Sequence, residues 1–267
     1  MSGPLPAELV LCAVQLDIVW EDPPANYARA EALLAPVMPP PGSLIVLPEM
    51  FATGFSQNVT ATVEPEHGPT ATWLRDLALR SGCAVLGGLV RPGLEDGAMG
   101  RNELVVYAPD GAELARYQKI RTFRYTREFQ HYERGRQISL FEWGGFRICP
   151  LICYDLRFPE LFRRGVSLGA QMFIVIASWP AVREDHWVTL LRARAIENLA
   201  YVLGVNRAGS DPYLDYPGRT ILIDPHGTVI ADAGAEEITL TAPVRHDVVE
   251  DWRREFPALM DICLDEV

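Results

Sequence analysis

The sequence predicts a layered α/β fold with mixed sheets. Apolar segments of strand length alternate with segments of helix length, and this alternation implies crossover connections between strands. Two pairs of predicted strands instead flank short turns, at Pro109-Asp110-Gly111 and at Pro225-His226-Gly227, and both are typical of antiparallel hairpins. No long linker or low-complexity run interrupts the chain, so we expect residues 1–267 to form a single domain.

The individual elements follow from apolar runs and from capping residues. Asp22 before two prolines predicts the start of a helix over 23–36, and Gly82 predicts the end of an amphipathic helix over 69–80. A third helix is expected over 184–199, and Pro159 opens a fourth. Strands are predicted at 9–16, 43–47, 83–90, 103–108, 113–117, 173–177, 201–205 and, as the second hairpin, within 220–232.

The composition favours a cytoplasmic globular protein. The net charge of −11 argues against a nucleic-acid partner, because binding phosphates requires a basic face. Residues 1–6 have neither the basic nor the apolar region of a signal peptide, and no apolar segment is long enough to span a membrane. The five cysteines are an odd number and their spacings match no zinc or haem site, so we expect reduced thiols and no metal.

Cys153 lies in the most informative stretch of the chain. The apolar segment before it predicts a buried strand, and a helix is predicted to begin just after it. A cysteine on the turn between strand and helix presents its sulfur at the rim of a sheet, where the next backbone N–H faces the same space. We therefore predict that Cys153 is reactive, whereas Cys149, in mid-strand, is a buried structural thiol.

Two further polar residues directly follow predicted strands. Glu49 comes after the strand at 43–47, and Lys119 comes after the strand at 113–117. Because ligand sites in α/β sheets lie beyond the carboxyl ends of the strands, we expect both side chains to meet Cys153 if the strands run in one direction. A turn or helix cap is the commoner role for an isolated glutamate at such a position.

Together these residue types suffice for acyl transfer. A free thiol titrates near ~8.5 and reacts as the thiolate, so it needs a carboxylate to accept its proton and an ammonium to stabilise the charges that form. The alternative is a papain-like Cys/His pair, which needs a histidine with a matching local signature. The five histidines lie on predicted turns or helices and show none: His67, His131, His186, His226 and His246.

Several blocks of the sequence form a recognisable pattern. They are Leu47-Pro48-Glu49-Met50, Tyr117-Gln118-Lys119, the run from Ile152 to Glu160, Arg192-Ala193-Arg194-Ala195-Ile196-Glu197-Asn198, and Asn206-Arg207-Ala208-Gly209. With these blocks the sequence resembles the nitrilase (carbon–nitrogen hydrolase) superfamily over nearly its whole length. Residues 51–56 and 252–258 are most similar to the omega-amidase branch, whose members hydrolyse the terminal amide of 2-oxo acids such as 2-oxoglutaramate.

The resemblance implies a role for each site residue. Cys153 would be the nucleophile, Glu49 the general base, Lys119 the oxyanion-stabilising cation and Glu128 the second glutamate, while the N–H of Tyr154 would complete the oxyanion hole. The reaction would pass through a thioester and need no metal or organic cofactor. The implied fold is a four-layer α-β-β-α sandwich with two mixed sheets, which associates into a homodimer or a larger even oligomer.

The substrate is predicted to be a small amide that carries a carboxylate. Residues 116–128 hold five basic residues against one acid, and this positive segment lies next to the expected site. We expect Arg121, Tyr154 and Trp179 to contact the substrate. The sequence departs from the superfamily at Arg121-Thr122, where His-Leu is common, and at Arg219-Thr220, where a small residue and Ser are common.

Three other functions remain compatible with the sequence. Two are enzymes of the same superfamily, an N-carbamoyl-amine amidohydrolase and a nitrile hydrolase. The third is a binding protein that has kept the fold without catalysis, although the presence of all four catalytic residues argues against it.

Overall fold

The computed structural model describes residues 8–95 and 98–263, so the stretch 1–6 interpreted above lies outside the described residues. Six α-helices are described: α1 (Pro23–Leu34), α2 (Val59–Thr62), α3 (Pro69–Ser81), α4 (Pro159–Ser167), α5 (Glu184–Asn198) and α6 (His246–Glu255). None of the helices in these two ranges combines the length and the apolar composition that crossing a bilayer requires.

Thirteen strands of the described residues form two large sheets. The first sheet has the order β15-β1-β2-β3-β4-β5, with β6 beside β4, and contains β1 (Leu9–Gln15), β2 (Leu44–Val46), β3 (Ala84–Pro92), β4 (Gly100–Tyr107), β5 (Glu113–Gln118), β6 (Tyr132–Glu133) and β15 (Ile238–Val244). The second has the order β14-β13-β10-β9-β8-β7 and contains β7 (Phe141–Trp143), β8 (Phe146–Ile152), β9 (Met172–Ala177), β10 (Tyr201–Asn206), β13 (Ile221–Ile223) and β14 (Val229–Asp232). A separate pair joins β11 (Ala208–Ser210) to β12 (Asp215–Pro217).

Both large sheets are mixed. In the first, β1, β2 and β3 are parallel, β4 is antiparallel to β3, and β5 is antiparallel to β4, so β5 again runs with the first three strands. In the second, β8, β9 and β10 are parallel and the strands flanking them are antiparallel. The carboxyl ends of β2 and β5 therefore lie at one edge of the first sheet, as the sequence predicts.

The side chains of β1 show how the layers form. Leu11 and Ala13 point into the core that the two sheets share, whereas Cys12 and Val14 pack with the helices on the outer face. Helices α1 and α3 cover the first sheet on that face, and α4 and α5 cover the second sheet on its far side. The result is the predicted α-β-β-α sandwich.

Most predicted elements are present, with ends shifted by a few residues. Asp22 caps α1 by accepting a hydrogen bond from Ala25 N, and Gly82 ends α3 in the left-handed conformation. Sequence analysis did not predict β15 or α6. Strand β15 includes a proline and two threonines, so its local apolar signal is weak, and it forms the edge of the first sheet as described, beside β1.

Candidate active site

Cys153 lies on a sharp turn between β8 and α4, as predicted. It is the first residue after the strand, and its φ of +48° is in the left-handed region that non-glycine residues rarely occupy. A turn of 3₁₀ helix follows over Cys153–Arg157, and Pro159 begins α4. Cys149 is fully buried in the middle of β8, within the apolar core. The two thiols therefore differ in position as the sequence predicts.

Hydrogen bonds to the carboxylate of Asp155 connect this turn with the segment that carries Lys119. It accepts hydrogen bonds from Tyr117 Oη at 2.7 Å, from Arg121 N at 2.8 Å and from Ile152 N at 3.1 Å. Tyr117 and Arg121 lie two residues before and two residues after the lysine. Burial raises the pKa of Asp155 to about 6, although Tyr117 and the backbone donors act in the opposite direction.

Glu49, Lys119 and Glu128 form a buried charged cluster. Lys119 Nζ lies 2.9 Å from Glu49 Oε1 and 3.0 Å from Glu128 Oε1, and the lysine side chain is only 1 % exposed. Burial by itself lowers the pKa of Lys119, but Glu128 and Glu49 outweigh this effect and raise that pKa well above its usual value. The ammonium is therefore held in its charged form between two carboxylates.

The cluster lies next to the Cys153 thiol. Burial raises the pKa of Cys153 well above its usual value, Glu49 raises it further, and Lys119 lowers it. The resting cysteine is consequently a protonated thiol. Glu49 Oε2 accepts a hydrogen bond from Ser178 N at 2.8 Å, which joins the end of β9 to the cluster.

A cavity opens above Cys153. Its walls combine aromatic rings with three cations and include no aspartate or glutamate among the described residues. The lining residues are Phe55, Lys119, Phe123, Thr126, Cys153, Tyr154, Arg157, Ser178, Trp179, Pro180, Arg183, Leu214 and Tyr216. Such a cavity suits a small, anionic organic molecule that can reach the thiol.

Comparison with known families identifies this arrangement. Residues 11–254 match the family of carbon-nitrogen hydrolases. The chain belongs to this family. Its members hydrolyse carbon–nitrogen bonds, so the chain is an enzyme, and the half-buried thiol and the buried carboxylates and ammonium lie in its candidate active site.

Two characterised relatives indicate a branch of the family. The chain is 40 % identical to the omega-amidase YafV of Yersinia enterocolitica, an alignment that spans 95 % of this chain and 96 % of the relative. It is 31 % identical to the 2-oxoglutaramate amidase of Bacillus subtilis, over 96 % of this chain and 98 % of the relative. The predicted resemblance to the omega-amidase branch is thereby confirmed.

Solved structures of other carbon–nitrogen hydrolases have the same fold. A superfamily protein from Xanthomonas campestris with an arsenic adduct in its active site superposes with a TM-score of 0.90 at 35 % identity, covering 97 % of this chain and 99 % of that one. An amidase from Nesterenkonia, in which acrylamide has undergone Michael addition at the active-site cysteine, superposes with a TM-score of 0.79 at 26 % identity, covering 93 % and 98 %.

Two of the three predicted substrate contacts line the cavity of this hydrolase. Tyr154 and Trp179 are lining residues, whereas Arg121 is not. The Arg121 guanidinium forms a partly exposed salt bridge with Glu160 at 2.8 Å and lies over the ring of Phe158. Contact between Arg121 and the substrate stays a prediction, and it would require the side chain to leave this salt bridge.

The positive segment 116–128 is partly neutralised by its neighbours. Arg116 forms salt bridges with Glu66 and Glu113, and Arg121 is paired as described above. The cations that line the cavity beside Lys119 are instead Arg157 and Arg183. Arg157 belongs to a block of the family resemblance, but the sequence gives no signal for Arg183, which the turn before α5 brings to the cavity.

The departure from the family pattern at Arg219-Thr220 has a structural explanation. Arg219 forms salt bridges with Glu184 and with Asp232, and it does not line the cavity. The hydroxyl of Thr220 accepts a hydrogen bond from Asn206 N at 3.2 Å. These residues stabilise the junction between α5 and the second hairpin rather than the pocket wall. Within the described parts of the chain, no cluster of His, Cys, Asp and Glu side chains could hold a metal ion.

Proposed function

We propose that this carbon–nitrogen hydrolase cleaves the terminal amide of small carboxylated amides, the 2-oxo acid omega-amides, to a carboxylate and ammonia. The observation that best supports this proposal is the cavity at Cys153. The thiol lies there next to the buried cluster of Glu49, Lys119 and Glu128, and two further cations line the same cavity. The omega-amidase and 2-oxoglutaramate amidase named above support the same substrate class.

In the first half of the reaction, Cys153 becomes acylated by the substrate. The S–H proton passes to Glu49, and the sulfur attacks the amide carbon. Lys119 and the backbone N–H of Tyr154 stabilise the negative charge that forms on the carbonyl oxygen. When the tetrahedral intermediate collapses, the C–N bond breaks, the leaving nitrogen takes the proton from Glu49, and ammonia departs from the thioester.

Water completes the reaction in the second half. Glu49, again ionised, accepts a proton from water as its oxygen attacks the thioester carbon. The C–S bond then breaks, the sulfur recovers its proton from Glu49, and the carboxylic acid product leaves and gives up its remaining proton to the ammonia in solution. In each half of the reaction Glu49 accepts one proton and gives one up, so the enzyme ends in its starting state.

The charges of the cluster favour this proton transfer. Two carboxylates and one ammonium carry a net charge of −1, and moving the thiol proton to Glu49 only relocates that charge to the sulfur. Glu128 Oε1 lies 3.0 Å from Lys119 Nζ and raises the pKa of the lysine, so Lys119 keeps its proton. Lys119 is then free to attract the thiolate and the developing oxyanion.

Arg157 and Arg183 provide the binding site for the substrate carboxylate. Neither forms a salt bridge with a described acid; Arg157 lies over the ring of Trp179 at 4.8 Å, and Arg183 lies over Phe123 at 5.5 Å. Burial lowers the pKa of Arg157, and the charge of Arg183 also lowers it, but a guanidinium is too basic for Arg157 to lose its proton at neutral pH. A bound carboxylate relieves their mutual repulsion.

The substrate class is tested by comparing 2-oxoglutaramate with its methyl ester. We expect the free acid to have a kcat/KM at least about tenfold higher, since a charged hydrogen bond contributes roughly 1.5–3 kcal/mol. Arg183→Ala should reduce this preference, whereas the control Arg121→Ala should leave it unchanged because Arg121 is paired with Glu160 outside the cavity. Equal hydrolysis of acid and ester would contradict the proposal.

The chemistry is tested with the two cysteines of β8 and its turn. Cys153→Ala should abolish ammonia release, whereas Cys149→Ala should cost mainly stability, because only the first thiol faces the cavity. Mass spectrometry of the wild-type enzyme with its amide substrate should detect the acyl adduct on Cys153. Full activity of Cys153→Ala would contradict the mechanism, and release of carbon dioxide with ammonia would indicate an N-carbamoyl substrate instead.

We also propose that the enzyme is a cytoplasmic homodimer or larger even oligomer whose 1–267 chain is one domain. A reducing compartment keeps the nucleophilic thiol free. The apolar core shared by the two sheets supports one domain. Trp187 and Leu191 of α5 are buried within the chain, but Ile196 on the same helix is 49 % exposed and could be covered by a second copy. Light scattering that detects only a 29.7 kDa species would contradict the oligomer.

A further inference from the structure

Asn102 occupies a position in the charged cluster that sequence analysis did not identify. It lies in the middle of β4 and is 1 % exposed. Its Nδ2 donates to Glu49 Oε1 at 2.7 Å and to Glu128 Oε1 at 3.2 Å. Its backbone oxygen accepts a hydrogen bond from Lys119 N at 2.9 Å. One residue thus contacts all three charged members of the cluster.

The hydrogen bonds leave the two oxygens of Glu49 chemically different. Oε1 accepts from Lys119 Nζ at 2.9 Å and from Asn102 Nδ2 at 2.7 Å, so both of its lone pairs are occupied. Oε2 accepts only from Ser178 N, at 2.8 Å, among the described residues, and retains one lone pair. Ser178 lines the same cavity as Cys153 and follows β9, the strand beside β8, so the oxygen that Ser178 N–H contacts lies on the side of the thiol.

The orientation of the Asn102 amide follows from its neighbours. Turning the amide over would place Oδ1 against two carboxylate oxygens, where it could accept nothing and would be repelled. In the favourable orientation Oδ1 is buried and has no hydrogen-bond partner in the described part of the chain. A buried polar atom without a partner costs free energy of folding, so the two hydrogen bonds that Nδ2 donates must offset that cost.

We propose that Asn102 is a positioning residue that directs the proton of Cys153 to Oε2 of Glu49. The inference rests on the proposed function of Glu49 as the general base. In this step the S–H bond breaks, the electron pair stays on sulfur, and the O–H bond forms at Oε2. Oε1 keeps its hydrogen bonds from Asn102 and Lys119, so the lysine retains its proton.

Removal of the Asn102 amide would free a lone pair on Oε1. A proton bound there would compete with Lys119 Nζ for the oxygen and would lie on the far side of the carboxylate from the thiol. It could not return directly to the leaving nitrogen. We therefore expect the variant to bind substrate normally but to transfer protons slowly, so that kcat falls while KM changes little.

The experiment compares Asn102→Ala with Asn102→Asp. Asp has the shape of Asn but replaces the donor with a third carboxyl group beside Glu49 and Glu128. We expect kcat to fall about ten- to a hundredfold in the alanine variant, as for the loss of a hydrogen bond to a charged group. The fall should be larger still in the aspartate variant. A purely structural role predicts the opposite order, since Asp fills the space that Ala leaves empty.

The pH profile provides a second measurement. In Asn102→Ala, the acidic limb of kcat/KM should move to higher pH, because the ionised form of Glu49 loses a donor. Asn198→Ala is the matched control: Asn198 is equally buried, and its Oδ1 also has no partner among the described residues. This control should lose stability without a shift of the limb. The proposal would be overturned if the acidic limb of kcat/KM did not shift in Asn102→Ala, or if kcat fell less in Asn102→Asp than in Asn102→Ala.

Alkylation of Cys153 by iodoacetamide separates this inference from the proposed function. Its rate, followed across pH by mass spectrometry, depends on thiol deprotonation and needs no amide substrate. We expect slower alkylation in both Asn102 variants than in wild type or Asn198→Ala. If wild type hydrolyses no amide, the proposed function fails, whereas equal alkylation rates in all four proteins would overturn the role of Asn102 alone.

Discussion

Replacing Gly88 with alanine tests how closely catalysis depends on the position of Glu49. Gly88 lies in β3, directly beneath the segment that follows β2, and its N–H donates to Pro48 O at 3.3 Å. A Cβ built at Gly88 would lie 2.6 Å from Met50 N and 2.8 Å from Glu49 Cα. Both contacts are with backbone atoms, which cannot rotate away as the end of a side chain can.

The required displacement sets the size of the effect. Ordinary contacts of a Cβ begin at 3.4 Å, so the contact at 2.6 Å requires the backbone around Glu49 to move by about 0.8 Å. Misplacement of a catalytic group by about 1 Å can cost about 10²-fold in rate. We therefore expect Gly88→Ala to lower kcat roughly a hundredfold and the free energy of unfolding by about 1–3 kcal/mol.

Gly87→Ala is the matched control on the opposite face of the same strand. Its Cβ would lie 2.7 Å from Leu74 Cδ2, the flexible end of a side chain in α3. We expect a similar loss of stability, measured by urea unfolding, but a kcat within about threefold of wild type, since no catalytic backbone moves. Near-wild-type kcat in Gly88→Ala, or an equal loss of kcat in both variants, would refute the reasoning.

The remaining predictions concern stability. Cys153→Gly should be about 1 kcal/mol more stable than Cys153→Ala in urea unfolding, because glycine adopts the φ of +48° without strain. The pKa of Asp155 is raised from 3.8 to about 6, so its ionisation opposes folding: relative to Asp155→Asn, wild type should lose up to about 3 kcal/mol as the pH rises from about 4 to 7. Arg219→Ser should cost about 1 kcal/mol by breaking its partly exposed salt bridges, with KM unchanged. The first expectation would be contradicted if the two Cys153 variants were equally stable. The second would be contradicted if the stability difference between wild type and Asp155→Asn did not change with pH, and the third if KM rose in Arg219→Ser.

The convergence of Glu49, Lys119 and Cys153 could be predicted because strand ends carry local signals. Each residue follows a predicted strand, and the parallel direction of β2 and β5 brings the first two to the same edge of their sheet. The direction of the Arg121 side chain has no such local signal. Whether an exposed arginine points inward depends on which acid lies near it, and Glu160 is 39 positions away in the chain.

Asn102 could not be identified from local sequence. It lies within β4 rather than at a strand end, and an asparagine in a strand usually weakens the prediction of that strand. Its importance arises from Glu49 and Glu128, which are 53 and 26 residues away in the chain. Strand β15 could not be identified from local sequence for the same reason, since it pairs with β1, which lies more than 200 residues earlier in the chain.

The candidate site is divided between the two sheets. Glu49 and Lys119 follow strands of the first sheet, whereas Cys153 and Ser178 follow strands of the second. Two buried hydrogen bonds to carboxylates cross between them, from Ser178 N to Glu49 Oε2 at 2.8 Å and from Tyr117 Oη to Asp155 Oδ2 at 2.7 Å. Sliding one sheet over the other would remove a donor from a buried carboxylate, which is costly. The contacts that fix how the sheets pack are therefore also those that hold the base beside the nucleophile.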